Sequence, residues 1–169
     1  SDVRFDYSRV HTRPVAGGLM AIPAFIGGVQ ALAIIDTGSE RTLGNVALRR
    51  ALHLQDTPGK LEPVAAVYGA TSQVETGRMV SSPVIAIGPL RVAGVDLIYG
   101  NFHIFKVWGL ESRPAIILGM DVLGTVDALG FDFRRHDLFV GGARPAGGLF
   151  STIQTFRGGK ASGGTKVSH

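Results

Sequence analysis

An apolar run broken by pairs of glycines constrains the fold of this chain more than any other feature. From Val15 to Ile35 the chain contains only one polar side chain, and about 20 such residues could cross a bilayer as a helix. Two Gly-Gly pairs and a proline interrupt the run, however, and these residues break helices and favour turns. We therefore predict a β-hairpin, with strands over Leu19–Ile26 and Val29–Ile35 joined by Gly27-Gly28.

The composition extends this prediction to the whole chain. The 169 residues are 45% hydrophobic, enough to bury one sizeable core, and include 24 glycines and 8 prolines with few aromatic residues. Many short apolar segments separated by turn residues are typical of strands rather than of a helical bundle. We expect an all-β domain.

Charge and cysteine content exclude several functions. The formal net charge is +4, but the basic residues are scattered and no aromatic ladder lies between them, so no nucleic-acid partner is expected. Cysteine is absent, which excludes disulfides and thiol catalysis. The histidines lack the spacing of metal ligands. No nucleotide-binding loop, nucleophile elbow or zinc-protease motif occurs, and we expect no metal and no cofactor.

The remaining elements follow from the apolar pattern. Asn45–Leu54 has helical spacing, and "YGATSQ" forms a small polar tip between two extended arms. The predicted strands are Glu62–Val67, Val74–Ile87, Leu90–Tyr99, Phe102–Val107 and Ala115–Leu118, followed by a helical turn over Met120–Gly124 and a closing hairpin from "GFDF" and "LFVG".

Two segments of the chain resemble each other. "AIIDTGSERT" and "AIILGMDVLG" both begin Ala-Ile-Ile, reach a glycine within a few residues and lead into a short helix. Each is typical of a buried strand that turns sharply where a side chain would not fit. The repeat, some eighty residues apart, indicates a pseudo-symmetric barrel with an acidic residue on one of its two turns.

These motifs resemble the retropepsin-like aspartic proteases, in particular the bacterial single-domain members. The likeness lies in Ile34 to Gly38 with its Asp-Thr-Gly, the distal Ile117-Leu118-Gly119 with its following helix, and the hairpin between them, and it covers roughly Leu19 to Val140. The resemblance implies a closed all-β barrel with one or two short helices. It also implies an aspartic endopeptidase acting on polypeptides with no cofactor.

By the same resemblance, Asp36 is the catalytic acid, and Thr37, Gly38 and Ser39 support its loop. Gly38 would let two such loops approach each other, the Thr37 hydroxyl would bond across to the partner loop, and Ser39 would bond to the outer oxygen of Asp36. Many viral members have Ala at the position of Ser39, whereas pepsin-like enzymes have Ser or Thr. Asp36 alone could also be an ordinary turn residue, because Asp-Thr-Gly suits an Asx-turn.

The segment Tyr68, Gly69, Ala70 and Thr71 is interpreted as a flap that closes over a bound peptide. The alternative is an ordinary solvated hairpin. Asp121 could be mistaken for a second catalytic acid, but we interpret it as a first-turn aspartate favoured by the helix dipole. Trp108 is expected in the core rather than in a substrate subsite.

A proton-sharing pair needs two carboxylates and this chain offers one. We favour a homodimer with Asp36 and its symmetry mate at the twofold axis. The alternatives are the second lobe of a longer protease and a non-catalytic peptide-binding or dimerisation module. We divide the chain into an arm (1–18), a protease domain (19–140) and a Gly-rich tail (141–169). The absence of an initiator Met indicates a piece of something longer; the compartment stays open, with periplasm or secretion favoured.

Overall fold

The computed structural model describes residues 6–11, 13–14, 19–54, 59, 61–69, 73–88, 90–125, 128–132, 134, 137–142 and 152–156. These residues form fourteen strands and three short helices. The strands are β1 (Asp6–His11), β2 (Arg13–Pro14), β3 (Met20–Ile26), β4 (Val29–Ile35), β5 (Leu43–Gly44), β6 (Val64–Tyr68), β7 (Val74–Ser81), β8 (Ile85–Ile87), β9 (Leu90–Val92), β10 (Asp96–Tyr99), β11 (Ala115–Leu118), β12 (Ala128–Asp132), β13 (Asp137–Gly142) and β14 (Thr152–Phe156). The helices are α1 (Val46–Ala51), α2 (His103–Val107) and α3 (Met120–Leu123).

The hairpin predicted from the glycine pairs is confirmed as β3 and β4. The two strands pair antiparallel from Met20↔Ile35 to Ile26↔Val29. Gly27 and Gly28 form the turn with φ of +53° and +82°, the left-handed conformation that a two-residue hairpin turn requires. Within the described residues, no helix is long and apolar enough to cross a membrane.

Strand β11 and the second half of β4, at the centre of the main sheet, are buried on both faces, which explains their uninterrupted apolar sequences. Along β4, Ala33 and Ile35 belong to one cluster of buried side chains, whereas Ile34 belongs to a second cluster. Along β11, Ile116 and Ile117 divide between the two clusters in the same way. The two central strands therefore hold one core against each face of the sheet.

The expected closed barrel is wrong: the fold is mostly β-sheet, but the sheet stays open. Its strand order is β6-β7-β10-β5-β11-β4-β3-β8-β9, with β2 paired to β3. In the described residues, β6 pairs only with β7, and the three-residue β9 pairs only with β8. The residues of β6 alternate between exposed and half-buried, so one face of this strand is open to solvent.

A second, four-stranded sheet has the order β1-β13-β12-β14. The predicted closing hairpin is confirmed as the antiparallel pair β12 and β13. Strand β1 pairs antiparallel with β13, and β14 pairs parallel with β12, so strands from both terminal parts of the chain join this sheet. The domain bounds at 18/19 and 140/141 stay a prediction.

Three predicted elements differ in the structure. The segment 102–107, predicted as a strand, contains helix α2 because Phe102 and Phe105 lie three residues apart and both are buried, with ring centroids 6.4 Å apart. The predicted strand Leu90–Tyr99 is divided into β9 and β10 around Gly94, whose φ is +73°. The extended arm Val74–Ile87 is likewise divided, into β7 and β8. Three helices form instead of one or two, although the two predicted from spacing are both present.

Candidate active site

The two similar segments lie side by side at the centre of the main sheet. Strands β4 and β11 pair parallel, with Ala33 opposite Ile116 and Ile35 opposite Leu118. Just beyond the paired strands, the backbone N–H of Asp36 donates to the carbonyl of Leu118 at 3.1 Å. Parallel pairing therefore brings both glycine turns to the same edge of the sheet.

Asp36 begins the turn that follows β4. One of its carboxylate oxygens, Oδ1, accepts from the backbone N–H of Gly38 at 3.0 Å, and its carbonyl accepts from the N–H of Ser39 at 3.2 Å. The first contact is that of an Asx-turn, so this geometry is shared by the structural and the catalytic interpretations. The carboxylate is half-buried, while Thr37 and Gly38 are exposed beside it. The Asp36 carboxyl group is thus held by one backbone donor at an accessible edge of the sheet.

The expected bond from Ser39 to Asp36 is wrong for this structure. The Ser39 hydroxyl donates to the carbonyl of Arg41 at 2.7 Å. A hydroxyl has a single proton, so it cannot also donate to the Asp36 carboxylate. Ser39 therefore shapes the loop after Asp36 and does not contact the acid with its hydroxyl proton.

The second glycine turn packs directly on the Asp36 loop. A Cβ added to Gly119 would lie 2.5 Å from the carbonyl oxygen and 2.9 Å from the nitrogen of Arg41, so only glycine fits there. The N–H of Met120 donates to the carbonyl of Ser39 at 2.8 Å, and the N–H of Asp121 donates to that of Glu40 at 3.2 Å. The Ile117-Leu118-Gly119 motif thus braces the loop of the first motif.

The carboxylate of Asp121 also contacts this loop, a role that sequence analysis missed. Thr42 is fully buried, and both its N–H and its hydroxyl donate to the Asp121 carboxylate. The Thr42 hydroxyl in turn accepts from the N–H of Gly119 at 3.0 Å. No local pattern marks Thr42, because its partners are remote in sequence. Asp121 is therefore more than the helix-dipole aspartate expected, and its oxygens are already occupied.

Asn45 is a second residue whose importance sequence analysis missed. Its side-chain NH₂ donates to the carbonyls of Leu110 and Arg113, both at 2.7 Å. Its Oδ1 accepts from the N–H of Leu48, which caps α1, and from the N–H of Ala115 in β11. Its position at the start of an amphipathic segment indicates that Asn45 caps α1. The sequence does not indicate its three hydrogen bonds to Leu110, Arg113 and Ala115, which lie in and before β11.

The predicted flap segment lies at the end of the β6–β7 hairpin. Tyr68 is 79% exposed and pairs with Val74 across the hairpin, and Gly69 is exposed after it. Ala70 and Thr71 lie outside the described residues. Trp108 is half-buried and packs against the second hydrophobic cluster, as expected for a core residue.

The parallel pair β4–β11, with an aspartate on one turn and a glycine on the other, is the arrangement that the resemblance to retropepsin-like aspartic proteases led us to expect. The family model for aspartyl proteases matches residues 22–122, more than half of the chain. The chain therefore belongs to the aspartyl protease family, and the family resemblance stated above is confirmed. Its fold is similar to the crystal structure of a retropepsin-like aspartic protease from Rickettsia conorii, with 14% identity, 84% of this chain and 96% of that chain covered, and a TM-score of 0.54. No curated protein sequence shows significant similarity to the chain.

Proposed function

We propose that this protein is an aspartic endopeptidase in which Asp36 supplies one carboxylate of a proton-sharing pair and a second copy of the chain supplies the other. The observation that carries the proposal is the asymmetry of the two central turns. Because Leu118 pairs with Ile35, Gly119 follows β11 as Asp36 follows β4, so the second central turn supplies no carboxylate of its own. Asp121, the nearest acid after Gly119, is bonded to Thr42.

The chemistry requires the two carboxylates to hold one proton between them. One carboxylate takes a proton from the attacking water, while the other donates a proton to the carbonyl oxygen or the leaving amine. Two close carboxyls cannot both ionise, so the pair titrates as a unit, as the family of aspartic proteases illustrates in general. We expect a bell-shaped pH–rate profile, because the rate falls when the pair holds either two protons or none.

The exposed side of the Asp36 loop supports a partner loop. Thr37 and Gly38 are both exposed, and among the described residues a Cβ on Gly38 would meet only Asp36 Oδ1, at 3.3 Å. Packing within this part of the chain therefore does not explain the glycine, whereas a second loop approaching this backbone would. A homodimer would bring such a second loop to Gly38, because the Asp36 loops of the two chains would meet in one self-complementary contact. The second lobe of a longer protease is the alternative source of the same contact.

The β6–β7 hairpin is proposed as the flap, with Tyr68, Gly69, Ala70 and Thr71 at its end. Its base lies near the Asp36 loop, since an Arg41 guanidinium nitrogen lies 3.7 Å from the sulfur of Met79 in β7. A hairpin at this place could cover a bound peptide and exclude water during hydrolysis.

Replacement of Asp36 tests the catalytic role. Asp36→Asn replaces the carboxyl group that shares the proton with an amide that cannot ionise, and is expected to lower peptide cleavage by at least about 10³-fold, with the thermal unfolding midpoint retained. The matched control is Glu40→Gln, which neutralises an exposed acid on the same loop and should retain activity. Retained cleavage by a pure Asp36→Asn protein would contradict the mechanism. Saturable peptide binding without cleavage by the native protein would favour the binding module.

Mixing the two proteins tests the shared site. When native and Asp36→Asn chains are mixed in varying proportion at constant total protein concentration, a homodimer loses activity as mixed dimers with a single acid form by mass action. Activity should then follow the square of the native fraction. A monomeric sedimentation coefficient without cleavage activity would instead favour a site completed within a longer chain. Activity proportional to the native fraction would contradict the shared site.

A further inference from the structure

The proposed flap is attached to the main sheet over only part of its length. The β7–β10 pairing ends at Arg78, opposite Tyr99, whereas the β6–β7 pairing continues from Val64↔Arg78 to Tyr68↔Val74. Beyond Arg78 the hairpin is therefore a two-stranded ribbon, a structure that is marginally stable by itself. Its position over the rest of the molecule must depend on a few contacts.

Gly77 provides the first of these contacts, directly beyond the end of the pairing with β10. A Cβ added to Gly77 would lie 2.6 Å from Ile98 Cγ2, 2.7 Å from the carbonyl oxygen of Tyr99 and 2.8 Å from Phe102 Cζ. The hairpin backbone thus lies directly on the ring of Phe102, the residue before α2. This close packing fixes the point about which the ribbon could rotate. It does not fix how close the end of the ribbon lies to the rest of the molecule.

Glu75 provides the second contact, two residues nearer the tip. Its Oε1 accepts from the backbone N–H of His103 at 2.8 Å. His103 is the first residue of α2, whose first N–H groups have no acceptor within the helix. Among the described residues, this is the one hydrogen bond from the ribbon beyond Arg78 to another element. A carboxylate acceptor makes such a bond stronger than a neutral one.

We propose that Glu75 is a positioning residue that fastens the ribbon to α2 and thereby sets the balance between its lowered and raised positions. The proposal rests on the proposed function only in that the ribbon is taken to be the flap. Gly77 and Glu75 lie on the same face of β7, and successive contacts with Phe102 and His103 hold this face down. Loss of the Glu75 bond frees the ribbon to rise about Gly77 without disturbing the core strands.

Hydrogen exchange of the full chain without substrate tests this directly. In Glu75→Ala, the backbone amides of residues 74–77 in β7 and of their partners, residues 65–68 in β6, should exchange about three to ten times faster than in the native protein. This is the effect expected from losing one solvent-accessible hydrogen bond, that between Glu75 and His103. Glu75→Gln keeps a carbonyl acceptor and should restore most of the protection. Thr76→Val is the matched control, because Thr76 is exposed on the opposite face of the same strand.

Kinetics give a second measurement. With a cleavable peptide, Glu75→Ala should raise KM about three- to tenfold with kcat changed less than about twofold, because the lowered state that holds the peptide is less populated. Equal exchange in Glu75→Ala and Thr76→Val would overturn the proposal, as would exchange that rises equally in β4 and β11. If the native chain cleaves no peptide, the proposed function fails, while hydrogen exchange still decides the role of Glu75.

Discussion

The carboxylate of Asp121 accepts two hydrogen bonds from one residue, Thr42: one from its backbone N–H at 3.0 Å and one from its hydroxyl. Thr42 lies between the Asp36 loop and β5, while Asp121 lies in the first turn of α3. The pair therefore joins the two motifs of the chain through a fully buried polar group.

Asp121→Ala should destabilise the protein by about 2–4 kcal/mol, because it leaves the buried N–H and hydroxyl of Thr42 without their acceptor. Asp121→Asn can offer its amide oxygen to the Thr42 N–H and its NH₂ to the hydroxyl oxygen, so its cost should be about 1–2 kcal/mol. Urea unfolding of the two variants measures the difference. Equal stability of Asp121→Ala and the native protein would show that this contact does not brace the loop.

Gly119→Ala should cost more than about 3 kcal/mol, because its Cβ would overlap the backbone of Arg41, which cannot move without displacing the Asp36 loop. Gly28→Ala is the comparison: its added Cβ meets nothing within 4 Å, although its φ is +82°. That variant should lose only the about 1–2 kcal/mol of an unfavourable backbone conformation. Thermal unfolding of both variants would separate steric overlap from backbone strain, and similar losses would contradict the close approach at Gly119.

Asn45→Ala should lower the free energy of unfolding by about 2–4 kcal/mol. The substitution removes the cap of α1 and leaves buried groups of Leu48 and Ala115 without an acceptor. Asn101→Ala, which removes the side chain of an exposed asparagine, should change stability by less than about 0.5 kcal/mol. Denaturant unfolding of the pair tests whether Asn45 holds α1 to the segment before β11.

The buried hydroxyl of Tyr99 leads us to predict that the protein loses stability at alkaline pH. Burial raises the pKa of the Tyr99 hydroxyl from 10.0 to about 12, while Ser82 and the charge of Arg49 act in the opposite direction. Because the unfolded chain releases this proton first, the native state loses up to about 2–3 kcal/mol as pH rises from about 10 to about 12. Below about pH 9 both states hold the proton and no such loss is expected.

Tyr99→Phe should remove this alkaline loss and have little effect on stability at neutral pH, since the nearby Ser82 hydroxyl donates to the Pro83 carbonyl and the Tyr99 hydroxyl makes no hydrogen bond of normal geometry among the described residues. Tyr68→Phe is the control, because it removes the same hydroxyl from an exposed tyrosine. Urea unfolding at about pH 8 and about pH 11 measures the difference. An alkaline loss in Tyr99→Phe as large as that in the native protein would contradict the assignment.

Features encoded in neighbouring residues were predictable from the sequence. The glycine pair at Gly27-Gly28 determines the β3–β4 hairpin, because it supplies the two left-handed residues of the turn. The repeated Ala-Ile-Ile segments predict two buried strands, and Asn45 marks the start of α1. The Asp-Thr-Gly and Ile-Leu-Gly motifs were sufficient to predict the family. The turn, the strands, the helix start and the motifs each depend on residues that are neighbours in the sequence. Their local conformation or their spacing of apolar residues can therefore be recognised without knowing what the segment packs against.

The contacts that position the candidate site were decided by the tertiary structure. Thr42 and Asp121 are 79 residues apart, and Glu75 and His103 are 28 apart. Sequence analysis also assigned the Ser39 hydroxyl to Asp36, whereas the nearby Arg41 carbonyl accepts its proton. It predicted a closed barrel, although apolar alternation does not specify whether the first and last strands meet. A polar side chain takes its partner from whichever donors and acceptors the packed strands bring within reach, and that proximity exists only after the sheet has formed.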